Sequence, residues 1–339
     1  MRLFMLCVSG KVLLEDDFLS GHLLVDECGI RFEQGAVPCK PKAHGLIVPK
    51  AIDAHTHIGD SFVRQKKLSL PHDLNALVAP PDGLKHRLLS SASDEEIMEG
   101  MKNSLVEMNK CGVCGFVDFR EGGSLGVELL KNTLKNDSPK AVVLSRPKEL
   151  CFDEQEILSL LNSSNGIGLS AVADWEYDDV LRIAQMCHEK KKVFALHASE
   201  QQAEPIDKIL DLHPDFLVHM LKASRDDFEA IYSENIPVVL CPRSNDFFSL
   251  CADFNVIKEV GVKVCLGSDN AMLHELNVFE EVAFLLKKTK AFGLEELLRM
   301  VSFFPRKYLN HGGCFSKKTV FEDGFVVLDE NSLQPLFVY

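Results

Sequence analysis

The chain has 339 residues, a formal net charge of −13 and 46% hydrophobic residues. That length suffices for one large core or two modest domains, and the composition excludes collagen-like and low-complexity architectures. The acidic balance argues against a nucleic-acid backbone or an anionic membrane surface as the main partner, and no stretch approaches the ~20 apolar residues of a membrane span.

In chain order, the N-terminal run Met1–Gly10 reads as a first strand rather than a signal peptide, because Lys11 and a group of acids interrupt it. Residues 23–32 read as further strand, followed by a linker rich in Pro, Lys and Gly. Eight short apolar runs then begin at Leu46, Cys111, Ala141, Gly166, Val193, Phe216, Pro237 and Val264. Their near-continuous aliphatic content fits strands covered on both faces, as in a parallel sheet. Between them the period changes to that of a helix, as in Ile97, Met101, Leu105 and Met108, in Val180, Leu181, Ala184 and Cys187, and in Val278, Val282, Leu285 and Leu286.

Eight alternations of strand and helix predict a (β/α)8 TIM barrel, with an open doubly wound sheet as the rival. A barrel takes about 250 residues. The surplus therefore predicts a small discontinuous β-sandwich domain built from residues 1–48 and 312–339, beside a barrel over 49–311. One connection, Gly59–Ser93, has prolines and no convincing periodicity; following the first barrel strand, it should lie over the catalytic face. The eleven cysteines are odd in number and lie largely in apolar segments, which points to reduced thiols in a cytoplasmic protein. Cys111 and Cys114 form a lone CxxC that opens an apolar strand, so buried thiols explain it better than a redox or zinc motif.

The chemistry concentrates at strand ends. His55 and His57 are two residues apart on a strand, so both imidazoles point to one side. His197 and Glu200 end the fifth run, His219 the sixth, Ser244 and Asn245 the seventh and Asp269 the eighth. The C-terminal ends of barrel strands converge on one mouth, where active sites sit. Taken singly, His219 could be a core histidine, Glu200 a complement to a helix dipole, and Ser244 or Asn245 a helix cap. Taken together, three histidines and an aspartate supply a catalytic metal site with one position left for water.

The ordered motifs DAHTH (from Asp53), LHASE (from Leu196), VHM (from Val218), CPRSN (from Cys241) and GSDN (from Gly267) resemble the amidohydrolase superfamily. The resemblance is closest to its metal-dependent deaminase and chlorohydrolase branch, acting on nitrogen heterocycles, and it spans nearly the whole chain. It implies that His55, His57, His197 and Asp269 hold one divalent ion, Zn2+ first and Fe2+ second. It further implies that His219 bonds the attacking water or developing oxyanion and that Glu200 shuttles protons. The ion lowers the pKa of water, Asp269 and Glu200 accept the proton, and a ring carbon loses its amine. The implied function is hydrolytic deamination of a purine, pterin or pyrimidine. The alternatives are ring opening of a cyclic amide or imidazolone, chlorohydrolase-like chemistry, and a catalytically idle binding barrel.

Two departures bear on substrate. Where relatives carry a histidine after the fourth strand, this chain has Asp174, Trp175 and Glu176; and no lysine occurs in that strand, so a carbamylated two-metal site is not expected, Lys148 being the residual candidate. The expected substrate contacts are Arg64, Lys85, His86, Arg120, Trp175 and Asn245. The expected partner is a small molecule, with neither nucleic acid nor membrane, and a homodimer is compatible with the reading.

Overall fold

The computed structural model describes residues 6–15, 17–310, 315 and 321–339. Its first four strands are β1 (Leu6–Leu13), β2 (Phe18–Asp26), β3 (Gly29–Glu33) and β4 (His44–Pro49). The eight apolar runs follow as β5 (Ala51–His57), β6 (Val113–Arg120), β7 (Lys140–Ser145), β8 (Gly166–Leu169), β9 (Val193–Ala198), β10 (Phe216–His219), β11 (Val238–Leu240) and β12 (Val264–Leu266). Next come β13 (Asp269–Asn270), β14 (Phe325–Leu328) and β15 (Pro335–Val338).

Strands β5 to β12 pair in chain order, all parallel. The ring closes through a break: β12 bonds to β11, while β13, three residues further on, bonds to β5 through Asp269 opposite Thr56 and Asn270 opposite His57. The eighth barrel strand is thus split at Gly267–Ser268, one piece on each neighbour. This is the TIM barrel that the alternating periods predict.

Inside the ring, Ile52, Val117, Phe119, Leu144, Ala195 and Val218 belong to one apolar cluster. A larger cluster fills the space between strands and outer helices. The helix Asp94–Cys111 shows how the sequence achieves this. Ile97, Met101, Leu105 and Met108 are buried on one face, the Ser93 side chain accepts from the Glu96 N–H, and Gly112 ends the helix at φ +80°.

The two chain ends meet, and they do so in one continuous sheet of order β15-β14-β4-β1-β2-β3. Strict alternation divides its faces. Leu46, Val48, Val326 and Leu328 join the main core, whereas Ile47, Phe325 and Val327 join Val8, Val12, Leu23 and Val25 in a separate cluster. The boundary expected at residue 312 and the first five residues of the N-terminal run lie outside the described residues.

The Gly59–Ser93 connection is more regular than its sequence predicts. It contains the short helices Phe62–Gln65, Leu74–Leu77 and Leu84–Ser91. Periodicity misses the last because the residue it buries fully is Lys85, not an apolar side chain. Among the described residues, no helix is long and apolar enough to cross a membrane.

Candidate active site

The histidines meet at the mouth of the barrel, above the ring of Phe119, whose centroid lies 4.5 Å from that of His55 and 5.0 Å from that of His197. Hydrogen bonds fix two of the imidazoles. His57 Nδ1 faces two acceptors, Phe119 O at 3.1 Å and Glu121 Oε1 at 2.9 Å, and so carries its proton there. His197 Nδ1 donates to Leu169 O at 2.8 Å. Burial keeps both rings neutral: it lowers His57 to about 4, assisted by the Lys85 charge, and drives His197 well below its ordinary value. Each Nε2 therefore presents a bare lone pair. These two nitrogens stand 3.3 Å apart, and His55 Nε2 lies 3.2 Å from His197 Nε2. Asp269 Oδ1 completes the group, 3.4 Å from His55 Nε2 and 3.5 Å from His57 Nε2.

The bare lone pairs of His57 and His197 repel one another and the Asp269 carboxylate, and a cation removes that repulsion. The donor set, three imidazole nitrogens and one carboxylate, fits a single divalent ion such as zinc. Each fixed imidazole is held by a carbonyl or carboxylate behind it, as metal-binding histidines are.

His219 differs. The Asn245 amide nitrogen lies 3.2 Å from its Nδ1, and with that amide donating, the ring proton sits on Nε2, 3.4 Å from Glu200 Oε1. Burial lowers this imidazole to about 3, so it too is neutral. Glu200 lines the cavity, and burial, reinforced by the charges of Asp269 and Asp174, pushes its carboxyl well above the ordinary range. Asp269 moves the other way: burial would raise it, but the hydrogen bond from His55 and the neighbouring imidazoles outweigh that and hold it well below. Its Oδ2 accepts from Ser244 Oγ at 2.5 Å.

The backbone is strained here. Asp269 has φ +62°, His219 +76° and Met220 +55°, left-handed conformations that are uncommon for non-glycine residues. Gly267 answers a different need. A Cβ on it would stand 2.6 Å from the His55 backbone nitrogen, so the split eighth strand can pass the first only as glycine.

The cavity above this cluster holds about 300 Å³, within the range of small-molecule sites. Of the six expected substrate contacts, Lys85 reaches it, and the others stand elsewhere. Arg64 points away, onto Glu107 at 2.7 Å. Arg120 is buried behind the mouth, 3.1 Å from Glu121 Oε2. Trp175 is packed in the core with its indole N–H on Ser170 Oγ at 3.0 Å. His86 donates to Val78 O at 3.1 Å, and Asn245 stands behind His219. Lys148 is exposed, with its backbone N–H on Glu156. Cys114 touches Ala51 O and Arg306, and burial raises both it and Cys111, so neither is an activated thiol.

The structure adds Arg146, immediately past β7, and Asp174, both lining the cavity. Among the described residues the Arg146 guanidinium has no ion-pair partner. The signal that singled out His197 and Asp269, a polar residue ending an apolar run, was equally present in Ser145-Arg146-Pro147.

Residues 46–315 match the amidohydrolase family model, a span that holds every member of the imidazole cluster. The chain belongs to the amidohydrolase family. It is a hydrolase acting on carbon–nitrogen bonds. An uncharacterized protein of Methanocaldococcus jannaschii is 36% identical over 322 residues, covering 88% of this chain and 80% of that one. A 5-methylthioadenosine/S-adenosylhomocysteine deaminase of Caldicellulosiruptor saccharolyticus is 26% identical over 388 residues, covering 98% of this chain and 87% of its own. Among solved structures, the aminofutalosine deaminase of Helicobacter pylori is similar in fold, with a TM-score of 0.70 at 17% identity over 96% of this chain and 93% of that one.

Proposed function

We propose that this amidohydrolase is a hydrolytic deaminase of an aminated nitrogen heterocycle of purine, pterin or pyrimidine type, with zinc as its metal. The observation that carries the reading is the pair formed by Glu200 and His219. A carboxyl that burial pushes toward its protonated form and an imidazole N–H meet 3.4 Å apart on the rim of the ligand cluster, facing the cavity. An ion held by His55, His57, His197 and Asp269 would supply the Lewis acidity that brings water's pKa toward neutrality.

The side chains do the rest. Asp269, ionised and steadied by Ser244, accepts the proton of the attacking water. Glu200 gives its proton to a ring nitrogen, the added hydroxyl passes its own proton to the departing amine, and the proton that Asp269 took from the water returns to Glu200. His219 directs its Nε2–H at the oxygen that adds to the ring carbon, where a preformed donor in a buried site is most effective. Arg146 lines the cavity together with Asp174 and offers the substrate a cation. The free cysteines of the described residues support a reducing, cytoplasmic setting.

The test is ammonia release across a panel of aminopurines, aminopterins and aminopyrimidines with zinc-loaded protein. Glu200→Gln should lower kcat about 10²–10⁴-fold with metal content unchanged. Turnover without ammonia would replace deamination by ring opening of a cyclic amide. A fully active Glu200→Gln would remove Glu200 from the mechanism.

A further inference from the structure

Lys85 reaches the cavity, yet its ammonium is already occupied. Nζ lies 2.6 Å from Glu121 Oε1 and 3.3 Å from Asp60 Oδ2, and donates to Asn270 Oδ1 at 3.3 Å. Two carboxylates and an amide oxygen of the protein thus surround the ammonium, which is held by the fold rather than offered to substrate. The three acceptors stand just past β5, just past β6 and in β13, which are adjacent around the ring. Two of them lead to metal-ligand residues. Glu121 Oε1 also lies 2.9 Å from His57 Nδ1, and Asn270 Nδ2 donates to Ser244 Oγ at 3.4 Å, whose hydroxyl holds Asp269.

The lysine itself arrives from the helix Leu84–Ser91, of which it is the one fully buried residue. That helix is anchored to the preceding turn by His86 on Val78 O. The connection 59–93 is therefore fastened to the mouth by a polar plug, and the plug is wired to the metal cluster on two sides.

We propose that Lys85 is a positioning residue through which the docked 59–93 segment orients the metal ligands His57 and Asp269. The proposal rests on the metal reading given above. It has a consequence opposite to that of charge alone. An ammonium close to a divalent cation repels it, so if Lys85 acted only as a charge, Lys85→Met would tighten metal binding and Lys85→Arg would leave it unchanged. As a positioning residue it makes both substitutions weaken binding, because neither side chain reproduces the three-way contact. Coupling is also reciprocal: if docking orders the ligands, a bound metal must hold the segment down.

The experiment titrates zinc against a competing chromophoric chelator for wild type, Lys85→Met and Lys85→Arg. In parallel, tryptic cleavage at the exposed Lys66, Lys67 and Arg87 is followed with and without zinc. Both variants should bind zinc about 10–100-fold more weakly. Zinc should slow cleavage of the wild-type segment about fivefold or more, and that protection should vanish in Lys85→Met. If Lys85→Met does not fold, Lys85→Arg and the wild-type proteolysis decide the matter alone. Variants that bind zinc as tightly as wild type, or a wild-type segment indifferent to zinc, would overturn the role of Lys85 while leaving the metal site intact. Wild-type protein that binds no zinc would instead overturn the metal reading itself.

Discussion

Gly267→Ala tests how closely the seam of the barrel is tied to the metal cluster. The new Cβ would lie 2.6 Å from His55 N, 2.7 Å from its Cβ and 2.8 Å from its O, where ordinary contact begins at 3.4 Å. The first contact alone demands a separation of 3.4 − 2.6 = 0.8 Å. All three atoms belong to the main chain or its first carbon, so no flexible side chain can swing aside. The strain falls where β13 meets β5, through Asp269 on Thr56 and Asn270 on His57. Relief there must move His55 and His57 relative to Asp269. Overpacking of this size costs about 1–3 kcal/mol, and a shift near 1 Å in a positioned group costs about 10²-fold in rate. The expected result is a lower Tm, weaker zinc retention on dialysis and kcat/KM reduced about 10²-fold. A variant that loses stability yet keeps full zinc content and turnover would refute the reasoning, since the seam could then yield without moving the ligands.

Three further outcomes follow from the same geometry. Chelation of the metal, or His197→Ala, should abolish turnover; zinc should restore the chelated wild type but not the variant, as measured by metal analysis alongside ammonia release. Burial raises the Glu281 carboxyl to about 7 in the fold, against the ordinary value near 4.3 in an unfolded chain, despite the Arg243 guanidinium beside it. Between those values the folded state holds the extra proton, so stability falls as pH rises through the window. Glu281→Gln should flatten the slope of unfolding free energy between pH 5 and 6.5 by up to about 1.4 kcal/mol per pH unit, and urea melts with an unchanged slope would contradict it. Arg146→Met should reduce kcat/KM roughly 10–100-fold, chiefly through KM, as expected for losing a charged hydrogen bond to substrate. Loss confined to kcat would place Arg146 elsewhere in the cycle.

The cluster was legible in sequence because strand ends in a barrel converge whatever their separation in the chain, so the polar ends His55, His57, His197, His219 and Asp269 could be placed at one mouth, and the resemblance to the amidohydrolase superfamily gave them their expected roles. The surroundings were not. Arg64 and Arg120 stand near the right motifs, but a cation takes the nearest carboxylate, and Glu107 and Glu121 claim them. Trp175 follows the fourth strand as expected, yet its indole packs into the core and leaves the cavity wall to Asp174.

What the sequence determined by itself is what depends on local period and on the chemistry of single residue types: the eight βα units and the polar residues that end them. The tertiary structure alone decided which partner each charged side chain finds. It split the eighth strand at Gly267 to close the ring, and it carried Lys85 from a helix with no apolar rhythm into three acceptors from three strand ends. The physical reason is that apolar burial follows a repeating pattern within an element, whereas ion pairs and hydrogen bonds form between elements, at distances that only the assembled fold fixes.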